Sequence, residues 1–282
     1  MQVAEVLNKQ HFNVHPFQKG LLNLYLQIEE NRIAASVFNK DNSLLHEISS
    51  MQFNETKNQT NSIIHELNFF LKDFDILKHP YYHVSVQILN RYFTLVPTAY
   101  ANGHLKELLE FNLGLKDIKT VQSIRINNSI DFAFTYDFDL HSFIEKTFNA
   151  AKIDHLGASS IDLFLKLQAF NNSDVLLNIH TNFIELIIKK NNELKFYNIF
   201  KWDSHEDILY FLLFSIEQFQ LNNTTLRLSI AADLPSNDAL FTLIKKYIKS
   251  VNFISSKSLN TPVENLPNHY YFNILNKHLC EF

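Results

Sequence analysis

One pattern of extended segments occurs in each half of this 282-residue chain. In the first half, apolar residues alternate with polar ones over residues 22–28, and after a turn a second extended run covers residues 33–38. In the second half, residues 175–179 and 184–188 repeat this arrangement. A period of two places apolar side chains on one face of a strand, so each copy predicts an antiparallel β-hairpin.

The two predicted hairpins align without a gap. Leu24, Leu26, Ile28 and Ile33 in the first correspond to Val175, Leu177, Ile179 and Ile184 in the second. This correspondence keeps each apolar residue on the same face of its strand. After the hairpin we expect a strand, a helix and another strand, over residues 44–53, 63–71 and 81–88 in the first copy and 194–200, 204–219 and 226–230 in the second. The chain is therefore predicted to contain an internal duplication.

Further elements are predicted around and between the two copies. Helical spacing indicates helices over residues 103–111, 142–152, 159–170 and 235–247, and extended patterns indicate strands over residues 121–126 and 130–136. The helix over residues 204–219 begins with a capping box, Ser204 and Asp207, and is apolar on nearly every side, which predicts that it is buried. We expect an N-terminal arm over residues 1–20, a first lobe over 21–155 and a second lobe over 156–282, whose C-terminal helix can pack back on the first.

Composition excludes several classes of protein. Hydrophobic residues make up 46% of the chain, enough for a sizeable core, and a net charge of -4 argues against a nucleic-acid partner. The single cysteine, Cys280, allows no intrachain disulfide, which fits a reducing cytoplasm. The first twenty residues lack an apolar segment of signal-peptide length, and the longest apolar run, residues 208–214, is far shorter than the roughly 20 residues of a membrane span. We therefore expect a cytoplasmic protein without membrane insertion.

Two stretches carry a more specific pattern. Residues 266–276 read LPNHYYFNILN and are followed by His278, Leu279, Cys280 and Glu281, while residues 143–152 precede Ile153, Asp154 and a helix from Ser159. The duplicated plan resembles the actin-like ATPases, which include sugar kinases, heat-shock chaperones and the bacterial cell-division and pilus-assembly proteins. The middle stretch resembles the segment that joins the lobes in the pilus-assembly members. The C-terminal stretch is similar to that of a bacterial family of unknown function, the DUF3822 type.

The resemblance implies an α/β fold with two tandem ribonuclease H-like lobes, each a mixed five-stranded sheet with helices on its faces. Active members carry Asp, and Gly two positions later, in each of two phosphate-binding hairpins. The corresponding residues here are Gln27 and Glu29 in the first hairpin, and Asn178 and His180 in the second. A glycine lets the backbone approach a phosphate, whereas an added carboxylate repels it. The glycine pair that borders adenosine in relatives corresponds to Ala231 and Ala232.

These replacements favour a non-catalytic actin-like scaffold, a pseudo-ATPase that binds a protein partner and needs no cofactor. The alternative is a divergent ATP-binding protein or weak ATPase that holds Mg-ATP in the cleft between the lobes. Its candidate cofactor-binding residues are Glu29, Glu30, Asn31, His180, Thr181, Asn182 and Asp233. A small-molecule kinase would need a general base that the sequence does not identify. No catalytic residue is predicted.

No metal site is predicted either. His11 and His15 have the i, i+4 spacing of ligands on one helix face, but a third ligand is not evident, so surface or packed histidines are favoured. His269, His278 and Cys280 match no structural zinc spacing, and a packed C-terminal helix is favoured there. A ribonuclease H-like nuclease would need several carboxylates on neighbouring strands, and the strand over residues 81–88 places Gln87 where an acid would be required.

Overall fold

The computed structural model describes residues 5–16, 20–54, 62–101, 103–167, 173–255 and 266–280. The chain divides into two compact units, Met1–Ser159 with Cys280–Phe282, and Ser160–Leu279. Residues 1–4 and 17–19 of the predicted arm, residues 168–170 of a predicted helix, and Glu281 lie outside the described residues.

The first unit contains nearly all elements of the first half of the chain. Its strands are β1 (Val6–Asn13), β2 (Leu22–Ile28), β3 (Arg32–Asn39), β4 (Leu45–Phe53), β5 (Tyr81–Ile88), β6 (Phe93–Pro97), β7 (Gln122–Ile126), β8 (Ile130–Phe134) and β9 (Lys152–His155). Its helices are α1 (Ser62–Asp73), α2 (Thr98–Ala101), α3 (Leu105–Leu113) and α4 (Phe138–Thr147), with a 3-10 turn at Ile76–Lys78. Helix α5 (Leu156–Lys166) contains the boundary between the units.

The main sheet of the first unit has six strands in the order β1-β4-β3-β2-β5-β9. Strands β1 to β4 pair antiparallel, whereas β5 is parallel to both β2 and β9. The expectation of five strands was one too few, because residues 6–13, predicted as part of an N-terminal arm, pair along the edge of β4. Most β1 side chains are exposed, so this strand shows no apolar alternation, and its backbone hydrogen bonds to β4 define it instead.

A second, three-stranded sheet in the order β6-β8-β7 completes the first unit, with α2 and α3 packed on it. The helix predicted over residues 142–152 is shifted in the structure, where α4 begins at Phe138 and ends at Thr147. Asp137 caps the helix by accepting hydrogen bonds from the Asp139 and Leu140 amides. After the helix, Ala150 adopts a left-handed backbone with φ 57°, and Lys152 begins a strand that pairs with β5. Pairing in the sheet therefore overrides helical propensity in this segment.

The second unit repeats the plan of the first. Its strands are β10 (Ser173–Ile179), β11 (Phe183–Lys190), β12 (Glu193–Lys201), β13 (Arg227–Ala232) and β14 (Ser250–Phe253), and its helices are α6 (His205–Gln218), α7 (Ala239–Lys245) and α8 (Phe272–Asn276), followed by a 3-10 turn at Lys277–Leu279. The sheet order β12-β11-β10-β13-β14 is equivalent to β4-β3-β2-β5-β9. The hairpins also share their register, since Ile28 pairs with Ile33 and Ile179 with Ile184. The predicted duplication is confirmed.

The core of the second unit lies on one face of its sheet, under α6 and α7. The capping box of Ser204 and Asp207 is present at the start of α6. Tyr210 and Phe214 are exposed, however, so the prediction that α6 is buried on all sides was wrong. One side of the helix packs on the sheet, and the apolar side chains on its other side remain exposed. Within the described residues, no helix combines the length and hydrophobicity needed to cross a membrane.

Candidate functional site

The first hairpin turn joins β2 to β3 and contains three of the predicted nucleotide-binding residues. Glu29 and Asn31 are buried, whereas Glu30 is exposed. Gln27 Nε2 donates a hydrogen bond to Glu29 Oε1 at 2.7 Å, and the Arg32 guanidinium lies 3.5 Å from the same oxygen. The two positions that would carry Asp and Gly in an active hairpin therefore hydrogen-bond to each other within the first unit.

A row of buried polar side chains crosses the first sheet beside this turn. Gln27 pairs in register with Gln87 on β5, and Gln87 pairs with Asp154 on β9. Directly opposed residues on neighbouring strands project from the same face, and all three side chains are buried. Neither amide atom of Gln87 hydrogen-bonds to a residue within the described ranges. Because buried amides nearly always have a partner, Gln87 is well suited to meet an ordered water or a ligand.

The second hairpin turn is organised around Glu185 of β11, whose side chain is fully buried. Its Oε2 accepts hydrogen bonds from Asn178 Nδ2 at 2.5 Å, His180 Nε2 at 2.8 Å and Ser160 Oγ at 2.9 Å. Its Oε1 accepts one from the Tyr197 hydroxyl at 2.8 Å. Both replaced positions of the second hairpin, Asn178 and His180, therefore act as donors to one internal carboxylate.

The electrostatics of this cluster keep Glu185 ionised. Burial alone would raise the pKa of its carboxyl group, but hydrogen bonding and charge attraction from His180, followed by the bonds from Tyr197 and Ser160, lower the pKa below its ordinary value. Burial, together with the neighbouring carboxylate, raises the pKa of the Tyr197 phenol well above its ordinary value. A carboxylate satisfied in this way is a structural anion, and its donors are already engaged.

Other residues of the second unit enclose the turn. Trp202 donates from its indole Nε1 to the His180 carbonyl at 3.2 Å and from its backbone amide to the Asn182 carbonyl at 3.1 Å. Thr181 and Asn182 are half-buried. The indole thus covers the turn from the end of β12.

Asp233 lies at the same edge of the second sheet as His180. Strands β10 and β13 are parallel, and Ile179 pairs with Ala232, so the residues that follow them leave the sheet side by side. Asp233 Oδ1 accepts a hydrogen bond from the Tyr271 backbone amide at 2.6 Å. This carboxylate therefore anchors the segment that leads into α8.

The structure thus sorts the predicted nucleotide-binding residues into two sets. Glu29, Glu30 and Asn31 share a turn in the first unit, whereas His180, Thr181, Asn182 and Asp233 lie at one sheet edge in the second. Sequence reasoning missed Glu185 and its partners Ser160 and Tyr197. A signal was present, since Glu185 is a single carboxylate within the otherwise apolar run 183–188, where a buried charge demands partners.

The structure also shows the partners of two other histidines that the sequence singled out. His11 lies in a strand, not a helix, and its Nδ1 is 2.9 Å from Ser49 Oγ, so the i, i+4 spacing with His15 has no helical meaning. His269 Nε2 lies 2.8 Å from the Leu234 carbonyl oxygen. Over the part of the chain that the structure describes, no group of three or more His, Cys, Asp or Glu residues could hold a metal ion.

The duplicated units, with equivalent strand orders and two hairpin turns at matching positions, define the class as the actin-like ATPase fold. A Bacteroides thetaiotaomicron protein "with actin-like ATPase fold and unknown function" has a similar structure, with a TM-score of 0.70, 18% identity and coverage of 83% of this chain and 90% of that one. A chain of the PilM-PilN type IV pilus biogenesis complex gives a TM-score of 0.54, 9% identity and coverage of 83% and 88%.

A match to a family model identifies the family of this chain. The family model described as "Protein of unknown function (DUF3822)" matches residues 9–251, most of the chain. The protein therefore belongs to the DUF3822 family, as the C-terminal pattern indicated. No curated protein matches the sequence.

Proposed function

We propose that this protein is a non-catalytic actin-like scaffold of the cytoplasm that binds a protein partner. One observation carries the proposal. In both units, the hairpin residues that would face a phosphate in an active ATPase are hydrogen-bonded within their own unit, Gln27 to Glu29 and Asn178 with His180 to Glu185.

The energetics of these bonds oppose phosphate binding. A phosphate at the first turn would meet the Glu29 carboxylate, and like charges repel strongly where water is excluded. At the second turn, a phosphate could recruit His180 or Asn178 only by taking donors from Glu185. Leaving a buried charge without its partners costs about 3–5 kcal/mol. A ligand would have to supply that energy before gaining any affinity.

The similar PilM-PilN complex supports the second half of the proposal, because it contains a protein of this fold in an assembly with another protein. A protein can keep the two-lobed fold after its catalytic residues have been replaced, and binding a partner through its surface can then be its function. The proposal carries this use over to the present chain. It assigns no catalytic residue and no cofactor.

The alternative is a weak ATPase or ATP-binding protein that uses Mg-ATP, and Gln87 is the observation that favours it. Its buried amide has no partner among the described residues and lies beside Gln27 in the polar row. On this alternative, Gln87 would join Glu29, Glu30 and Asn31 in contacting a hydrated magnesium ion or a nucleotide. In the second unit, His180 and Asp233 would then have to leave their present partners before they could join Thr181 and Asn182 in binding the nucleotide.

Thermal unfolding with Mg-ATP separates the two proposals. A ligand present at 100 times its Kd stabilises the folded state by about 2.7 kcal/mol, a shift of several degrees in Tm. We expect no shift at millimolar Mg-ATP, Mg-ADP or Mg²⁺ alone. A Tm increase with Mg-ATP that Gln87→Leu abolishes would replace the scaffold proposal with the alternative.

A further inference from the structure

The first unit contains a cavity of about 440 Å³ between the end of α3 and the start of α4. None of the replaced phosphate-binding positions lines it. The lining residues come from three segments, Tyr92 before β6, residues 115, 116 and 118–120 after α3, and residues 135–139 from the end of β8 into the first turn of α4. Its volume falls within the range of about 300–1,000 Å³ typical of ligand pockets.

Three large apolar side chains stand at the mouth of this cavity. Tyr92, Leu115 and Phe138 are each roughly half exposed, at 52%, 42% and 48%. A small-molecule site usually encloses 70–90% of its ligand, which walls this open would not achieve. Open apolar walls suit a bulky side chain that projects from an extended segment of another protein.

Local hydrogen bonds hold the backbone that carries these side chains. Gly114 ends α3 in the left-handed conformation, with φ 64°, and the Leu115 amide then donates to the Glu110 carbonyl at 3.1 Å. On the opposite wall, Thr120 Oγ1 donates to the Tyr136 carbonyl at 2.5 Å, which ties the two walls together. The cavity is therefore preformed, and a partner would not have to order it.

The charges at the rim differ in how far they are compensated. Asp137 and Asp139 lie at the start of α4, where the helix amides and dipole offset negative charge, and Asp137 accepts hydrogen bonds from the Asp139 and Leu140 amides at 2.7 and 3.1 Å. Lys116 and Lys119 lie on the other wall, and within the described ranges neither forms an ion pair. Lys119 Nζ is 5.7 Å from the centre of the Phe138 ring. The rim therefore carries positive charge, on Lys116 and Lys119, that no side chain of the described residues pairs with.

We propose that this cavity is the docking site for an extended, acidic segment of the partner protein. A bulky apolar side chain of the partner enters between Tyr92, Leu115 and Phe138, and a neighbouring Asp or Glu pairs with Lys116 or Lys119. Apolar burial supplies most of the affinity, while the lysines select the acidic sequence and speed its association. The inference rests on the proposed function and names the partner's chemistry.

Fluorescence anisotropy with synthetic peptides tests this site on the full chain. The probes are peptides with a central Phe or Leu flanked by three acidic, three neutral or three basic residues on each side. We expect the acidic set to bind at micromolar Kd, with affinity that weakens as salt rises. Tyr92→Ala and the double variant Lys116→Glu/Lys119→Glu should each weaken binding tenfold or more.

Matched controls are available within the chain. Tyr82 is exposed to a similar degree, 60%, and lies outside the cavity, and Lys245 with Lys246 forms an exposed basic pair at the C-terminal end of α7. Tyr82→Ala and Lys245→Glu/Lys246→Glu should leave the peptide Kd unchanged. Equal binding of basic or neutral peptides, no binding of any acidic peptide, or indifference to the cavity variants would overturn the inference. If a partner identified by cross-linking binds elsewhere on the protein, the scaffold function stands and only this site is lost.

Discussion

Glu66 on α1 allows a quantitative test of the structure, because burial of its carboxyl group opposes ionisation. The side chain is only 2% exposed, and its Oε2 hydrogen-bonds to no residue in the described part of the chain. Burial raises the pKa of this carboxyl group from 4.5 to about 7. The folded protein therefore binds this proton more tightly than the unfolded chain does, and the free energy of unfolding falls as the pH rises between these two values.

The magnitude follows from the two pKa values. Each unit of difference is worth about 1.36 kcal/mol, so after integration the charged side chain costs the folded state about 3.3 kcal/mol at pH 8 and about 0.8 kcal/mol at pH 5. Glu66→Gln removes the ionisation and keeps the shape. We expect the stability of the variant, relative to the native protein, to improve by about 2.5 kcal/mol between pH 5 and pH 8.

Urea unfolding followed by far-ultraviolet circular dichroism, at pH 5.0, 6.5 and 8.0, measures this difference. Any constant effect of the glutamine amide cancels, because only the change with pH is compared. Glu107→Gln, at an exposed position on α3, is the matched control and should show no comparable trend. A pH-independent difference between Glu66→Gln and the native protein would refute the reasoning.

Three further substitutions test the second unit, with unfolding followed by the fluorescence of its single tryptophan. Glu185→Gln should destabilise it by at least about 2 kcal/mol, since an amide cannot accept all the bonds that the carboxylate receives, whereas exposed Glu193→Gln should have little effect. Lys189→Met should lower the free energy of unfolding by about 2–4 kcal/mol, because the buried ammonium donates to two carbonyls at the end of α5. A loss of stability no larger than that of exposed Lys190→Met would contradict this. Ser204→Ala should cost about 1 kcal/mol through the lost capping box of α6, and an unchanged urea midpoint would argue against that role.

The hairpins were predictable because their determinants are local. The apolar positions around Ile28 and Ile33, repeated at Ile179 and Ile184, fix both the face and the register of each pair, since a slip by one residue would expose the whole apolar face. The same patterns located β5 at its observed bounds. Strand β1 could not be found in this way, because its side chains are mostly exposed and its position depends on the free edge of β4.

The site was predictable only in part. The resemblance to the actin-like ATPases identified Gln27, Glu29, Asn178 and His180 as the replaced hairpin positions. Their partners Glu29 and Glu185 lie only two to seven residues away along the chain, but the side-chain geometry that joins them is present only in the folded hairpins. Glu185 could be flagged as a charge in an apolar run, but its bond to Ser160 on α5 required the packed unit.

The sequence by itself determined the duplication and the hairpins, because periodicity is a local property, and its resemblance to the actin-like ATPases located the replaced hairpin positions. Only the tertiary structure decided what the replacements do. It brings Asn178 and His180 onto the buried carboxylate of Glu185, and it leaves Gln87 without a partner among the described residues. Burial and hydrogen bonding are properties of the packed chain, so no reading of residue order alone could assign them.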